Sequence, residues 1–143
     1  MPDHFGGAPR ERRKRFFRAI EDGNFAKVRE HMTPDLINHV ELSRDVMKIP
    51  IHLAAEKGHY DIAYFLVENG VEVDVMDERL STACIKAVVY NHHDIALLLA
   101  SHGADIRHKD SFGRCAYLQY IDPMQQEELR VARTAYDHRH GQL

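Results

Sequence analysis

From Ile49 onward, apolar positions fall into two alternating patterns separated by Gly or Asn. Leu53, Ala54 and Ala55 make a narrow apolar face in a segment of about nine residues, Pro50 to Gly58. Proline suits the first turn of a helix, where its missing amide donor has no partner to lose. Gly58 is a natural stop, because glycine reaches the left-handed conformation without penalty. A second helix is predicted from Tyr60 to Asn69, with Ile62, Phe65 and Leu66 at helical spacing and Gly70 as its cap.

The same pair of patterns returns 33 residues later. Ile49-Pro50-Ile51-His52-Leu53-Ala54-Ala55 aligns without a gap onto Thr82-Ala83-Cys84-Ile85-Lys86-Ala87-Val88. Asp61-Ile62-Ala63 meets Asp94-Ile95-Ala96, Leu66 meets Leu99, Gly70 meets Gly103, and Asp77 meets Asp110. Asn91 stands where Gly58 stood, and His92 where His59 stood. A repeat of this period is one supersecondary unit that buries its apolar face only by stacking on its neighbours.

Residues 49–59, Ile-Pro-Ile-His-Leu-Ala-Ala-Glu-Lys-Gly-His, resemble the ankyrin-repeat signature Thr-Pro-Leu-His-x-Ala-Ala-x-x-Gly-His. Residues 67–74 and 100–106 resemble the Gly-Ala-Asp-Val-Asn segment of that family. The resemblance is strong over 49–113 and weaker outside it. Phe16 to Met32, with Ala19, Gly23-Asn24-Phe25 and Val28, fits an end repeat followed by a connector about two residues longer than usual. Cys115 to Ile121 continues the register, Met124 replaces the expected Gly, and Gln125 to His138 reads as a terminal capping helix. The implied fold is all-α: a short ankyrin-like solenoid of helix-turn-helix units joined by finger loops. Residues 1–9 read as a flexible leader. Residues 10–143 read as a single domain of about four units, approximately 10–44, 45–76, 77–109 and 110–143.

Departures from the signature carry expectations of their own. The resemblance implies a hydrogen bond between the signature Thr and His at the start of each first helix. One unit has His52 but Ile49 in place of Thr; the next has Thr82 but Ile85 in place of His. Each missing bond costs ~0.5–1.5 kcal/mol. Leu80 stands where the finger turn usually has Gly, a residue that Gly113 retains one period later. Because a Leu at positive φ is strained, the finger at 77–82 is expected to adopt a different turn.

Charge refines this picture. Arg10, Arg12, Arg13, Lys14, Arg15 and Arg18 against Asp3 and Glu11 give residues 1–18 a net +4. The chain's total of −3 then leaves −7 on the body. A general nucleic-acid binder usually carries a basic face on its folded domain, so the tract reads as the solvated side of a first helix with Phe16 and Phe17 on its core side. The alternative is a nucleic acid or other phosphate-bearing partner held by Arg10 to Arg18. Only Cys84 and Cys115 are available for a disulfide, too few for a disulfide framework, so both read as reduced thiols in a cytoplasmic protein. No apolar run approaches the ~20 residues of a membrane span, and no secretory signal is evident.

Catalytic and metal patterns are weak. Adjacent His92 and His93 project about 100° apart on a helix, and His138 and His140 lie near the chain end. No His lies at zinc-ligand spacing from a Cys. Cys84 takes a signature Leu position and should be inert. Cys115 takes the Thr position, as a small core or capping residue. Asp77 and Glu78 lie in a finger with no apparent pocket, so acid–base catalysis is unsupported. Neither an enzyme, a cofactor nor a metal is expected. Tyr117 and Tyr120 are expected to pack on the terminal helix.

The resemblance places recognition on the concave side, built from finger tips and the exposed faces of first helices. Carried over by position, the candidate partner-binding residues are Glu56, Lys57, Val89 and Tyr90 on the helices. Met76, Glu78, Arg79 and Ser81 come from one finger, and His108, Ser111, Phe112 and Arg114 from the next. Val89, Tyr90 and Phe112 stand out as apolar on a surface that is polar by default, and aromatics beside Arg are typical interface anchors. The expected function is to bind another protein, with the chain itself monomeric.

Overall fold

A computed structural model describes residues 9–43 and 46–141. Of the expected leader, residues 1–8 lie outside the described residues, and Pro9 already opens a helix. Helices α1 (Pro9–Asp22) and α2 (Phe25–His31) form the first pair. A short antiparallel hairpin follows, β1 (Glu41–Ser43) with β2 (Val46–Lys48), Leu42 opposite Met47. Then come α3 (Pro50–Lys57) with α4 (Tyr60–Glu68), and α5 (Ala83–Val89) with α6 (His93–Ser101). The last pair is α7 (Ala116–Gln119) and α8 (Pro123–Arg139), the latter longer at both ends than the expected cap. First helices stack as one row, α1–α3–α5–α7, and second helices as another, α2–α4–α6–α8. The hairpin is a small addition to an otherwise helical solenoid.

The core is continuous along the array. Phe16 and Ile20 of α1, Val28 of α2, Ile51 of α3, Ile62 and Leu66 of α4, Ile85 of α5, Ile95 and Leu99 of α6, and Leu129 of α8 are fully buried. Each contributes on the order of 1.5–3 kcal/mol relative to exposure. Ala54 and Ala55 on α3, with Ala83, Cys84 and Ala87 on α5, are buried small residues that let the first helices approach closely.

A repeated joint links the units. The end of a first helix leaves carbonyls without intrahelical donors. His59 Nε2–H donates to Glu21 O in the last turn of α1 (3.3 Å), and His92 Nε2–H donates to Glu56 O in the last turn of α3 (3.2 Å). Each ring lies against the glycine ending the previous unit's first helix. A Cβ at Gly23 would sit 2.6 Å from His59 Cε1, and one at Gly58 2.5 Å from His92 Cε1. Glycine at these sites is thus required twice, by the close ring and by φ of 71° and 75°. Asn91 adopts φ of 64° at the third such position. The array is closed differently: Arg139 donates to Ser101 O (2.6 Å) and Arg133 to Ala104 O (3.1 Å), capping the C-terminal end of α6 with cations from α8.

The finger at 77–82 corrects the expectation for Leu80. Asp77 Oδ1 accepts from Arg79 N (2.9 Å) and Ser81 N (3.0 Å), while Leu80 N donates to Asp77 O and Asp77 N to Ser81 O. Asp110 makes the same four contacts with Phe112, Arg114 and Gly113. Leu80 therefore takes the ordinary finger turn at φ 58°, where Gly113 sits at φ 76°. Four hydrogen bonds around one aspartate impose the turn, and the residue bears the strain.

The broken Thr–His pair has the expected consequence. His52 Nε2–H donates to Val75 O (2.7 Å), but the buried Nδ1 has no partner among the described residues, and Ile49 supplies no hydroxyl. Burial pulls the His52 pKa below its ordinary value, so the neutral ring is the folded form. Thr82, lacking a His, instead caps α5 by accepting from Ile85 N (3.4 Å).

These two sites yield paired tests by thermal and chemical unfolding. Ile49→Thr and Ile49→Val remove the same methyl volume, so their difference isolates the hydroxyl. The Thr variant should be the more stable by about 0.5–1.5 kcal/mol, because the hydroxyl donates to His52 Nδ1; a less stable Thr variant would show that Nδ1 is not waiting for a donor. Leu80→Gly should stabilise the chain by up to ~1 kcal/mol, relieving a left-handed cost of about 1–2 kcal/mol against glycine's entropy cost of ~0.5–1 kcal/mol. A loss of stability would mean that packing of the Leu80 side chain outweighs the strain.

Candidate protein-binding face

The two matched fingers and the exposed side of α5 meet at one cleft of about 150 Å³, to which Arg79, Ser81, Val89, Tyr90 and Arg114 contribute among the expected residues. Lys86 at its edge was not foreseen. Its Nζ lies 3.0 Å from both Glu56 Oε1 and Asp77 Oδ2, tying α5 to α3 and to the finger. Burial alone would lower the Lys86 pKa, but the bonds to the two carboxylates outweigh it and hold the ammonium above its usual range. The same bridge, with the Ser81 and Arg79 amides, overcomes burial and keeps Asp77 below the usual carboxylate range.

Phe112 projects from the second finger at 61% exposure, yet two guanidiniums contact its ring. The Arg79 guanidinium lies 5.4 Å from the ring centroid and that of Arg114 5.0 Å, and Arg114 is itself fixed by Asp110 Oδ2 at 2.8 Å. Such contacts are worth about 0.5–1 kcal/mol each at an exposed site. Tyr90 is 54% exposed beside Val89, which is also exposed. The fingers are tied to each other: Ser111 N donates to Arg79 O (2.9 Å), and His108 Nε2–H donates to Leu80 O (2.8 Å).

The other expected positions distribute unevenly. Lys57, Met76 and Ser111 are exposed, and Glu78 is exposed while accepting from Met47 N of the hairpin at 3.3 Å. Glu56 is half-buried in its pair with Lys86. Ser81, although it lines the cleft, is only 2% exposed, and its Oγ has no hydrogen-bond partner among the described residues. Leu80, which was not placed on the face, is exposed.

The basic tract is largely used within the fold. Arg12 Nε donates to His31 O (3.2 Å), Arg13 pairs with Glu41 (3.6 Å), and Lys14 pairs with Glu11 (3.6 Å); Arg10, Arg15 and Arg18 are exposed. Phe16 and Phe17 are buried as core residues of α1.

The candidate chemical groups take structural positions. Burial pushes the Cys84 thiol up to about 12, away from a reactive thiolate. Cys115 is buried at the start of α7 and makes no capping bond, so it fills the core. His93 is bridged between Tyr120 Oη and Glu128 Oε2, both at 2.6 Å, while His140 stacks on Tyr136 with centroids 4.0 Å apart. Tyr120 thus bonds α6 directly and reaches α8 through His93 and Glu128, and the Tyr117 carbonyl accepts from Gln126 of α8 (2.9 Å). Among the described residues, no three His, Cys, Asp or Glu side chains converge as a metal site, and no helix is long and apolar enough to cross a membrane.

Comparison with known proteins agrees with this architecture. The family model described as ankyrin repeats (3 copies) matches residues 16–110. The protein named Probable E3 ubiquitin-protein ligase XBOS32 of Oryza sativa subsp. japonica is 34% identical over 61 residues, 43% of this chain and 12% of its own length. E3 ubiquitin-protein ligase XBAT32 of Arabidopsis thaliana is 31% identical over 99 residues, 68% of this chain and 19% of its own. A protein named for ankyrin repeats, FPV014 of Fowlpox virus (strain NVSL), is 26% identical over 127 residues, 85% of this chain and 27% of its own. The chain therefore spans less than a third of each of these relatives. With its paired helices, aspartate-centred fingers and histidine joints, the chain belongs to the ankyrin-repeat family, whose repeats are generally modules for binding other proteins.

Proposed function

We propose that this chain binds another protein through the face formed by the fingers at 77–82 and 110–115 and by the exposed side of α5. The observation that carries the reading is the placement of Phe112. An exposed aromatic is in contact with the guanidiniums of both Arg79 and Arg114, two residues that line a small cleft with Tyr90 and Val89. A free aromatic side chain loses rotamer entropy on binding; one already clamped loses less, so rigid display lowers the cost of association. Tyr and Arg near the centre of an interface are the residue types that dominate binding energy. Glu78, Met76, Lys57 and Ser111 would form the rim. The unpaired, buried Cys84 and Cys115 fit a reducing compartment such as the cytoplasm. The ligase activity named for some relatives is not carried over, since the shared stretch covers 12–19% of those two proteins. We propose monomeric action, without a cofactor.

Affinity capture from a lysate of the source cells, with mass spectrometry, separates this reading from the basic-tract alternative. Deleting residues 1–18 would remove the buried Phe16 and Phe17 and damage the first unit. The suitable variant is Arg10→Gln, Arg15→Gln, Arg18→Gln, which changes only exposed positions. A protein recovered by the wild type and by this variant should be lost on Arg79→Ala, Tyr90→Ala, Phe112→Ala, each anchor contributing about 1–2 kcal/mol or more. Recovery that follows the arginines of α1, and vanishes in moderate salt, would instead assign the function to phosphate contacts.

A further inference from the structure

The opposite side of the array, the row of second helices, carries an apolar groove that the finger face does not explain. Tyr60 and Tyr64 of α4 form one wall, Met124 and Val131 of α8 the other, and Leu97 and Leu98 of α6 lie between them. The two tyrosines stack with centroids 6.4 Å apart. Tyr64 is 48% exposed and Val131 51%. Exposed apolar side chains scattered singly need no explanation, but several converging on one groove mark an interaction site.

Size and form narrow the occupant. The groove is widely open to solvent and spans about 1210 Å³, above the ~300–1,000 Å³ usual for small-molecule sites. Its floor runs along α6 from Asp94 to Ser101, which at ~1.5 Å per residue is about two helical turns. The walls are helices with no sheet edge beside them, so a strand would find no backbone partners. A helix presenting apolar residues at i, i+3, i+4 and i+7 matches such a trough.

Charge narrows it further. Asp94, Glu127 and Glu128 rim the groove, and among the described residues no Lys or Arg lines it. Glu128 is bonded to His93 (2.6 Å), Glu127 is paired with Arg130 outside the lining, and Asp94 Oδ1 also accepts from Ile95 N (2.8 Å). Besides Tyr60 and Tyr64, the lining holds His102, 3.5 Å from Glu68, a fourth carboxylate nearby. An acidic rim around an apolar floor attracts a helix with cations flanking its apolar stripe and repels one with carboxylates there.

We infer that the α4–α6–α8 groove is a second docking surface whose occupant is a basic amphipathic helix from another protein, with an apolar stripe of about two turns. It is independent of the finger face, and either surface works without the other.

Two synthetic peptides of about 14 residues test this, each with Leu at i, i+3, i+4 and i+7, one filled with Lys and the other with Glu. Binding to the full chain is followed by amide NMR shifts and fluorescence anisotropy at ~0.15 M salt. The Leu/Lys peptide should bind about tenfold or more tighter than the Leu/Glu peptide, with shifts confined to α4, α6 and α8. Tyr64→Ser and Val131→Asn, both at exposed positions, should each weaken it about fivefold or more with unchanged thermal unfolding, and Phe112→Ala should leave it unaltered. Equal affinity for the two peptides, no binding of either, or shifts on the fingers would overturn the inference. So would a concentration-dependent dimer abolished by Val131→Asn, which would make a second copy of the chain the occupant.

Discussion

The array depends on the joint at which a histidine of one unit lies on the glycine that ends the previous unit's first helix. Helix ends expose carbonyls that the helix cannot satisfy. In this chain, the donor comes from the next unit: His59 serves Glu21 O and His92 serves Glu56 O. Satisfying one unit's backbone therefore fixes the position of its neighbour. The ring needs the space a Cβ would fill, so the glycine and the histidine are a matched pair separated in sequence by a whole unit. Where the run ends, α8 performs the closure with Arg133 and Arg139 on the C-terminal end of α6.

The fingers inherit their order from this stacking. Lys86 joins α5 to α3 through Glu56 and to the finger through Asp77. Asp77 and Asp110 each organise a turn with their own carboxylate, and backbone bonds from Ser111 to Arg79 and from His108 to Leu80 link one finger to the next. Arg79 is thus placed by one unit and Phe112 by another, and their contact exists only because the units are in register. A partner docking on the face as proposed would meet side chains whose ordering entropy has already been spent in folding.

Much of this was legible in the residues. The offset of 33, with Gly58 against Asn91 and Gly70 against Gly103, located the helix ends, and the missing Thr at position 49 foretold the unsatisfied His52 Nδ1. The turn at Leu80 was not legible, because local preference argues against it; four hydrogen bonds around Asp77 overrule that preference. The burial of Ser81 was not legible either. The hairpin at 41–48 has strands of three residues each, too short for alternation to show. The groove on the second helices was invisible for another reason: Tyr60 and Tyr64 stand far along the chain from Met124 and Val131. Only packing of α4 and α8 on α6 joins them.

Central to this account is a proposed binding face that is ordered in the free chain, because the finger turns are locked by Asp77 and Asp110. Residue-resolved amide hydrogen exchange of the free chain tests it most directly. The amides of Arg79, Ser81, Phe112 and Arg114, each bonded to one of these carboxylates, should exchange as slowly as the core of α5, orders of magnitude below open chain. Exchange of these four amides at open-chain rates, with α5 still protected, would contradict the account and make the face one that a partner must order on binding.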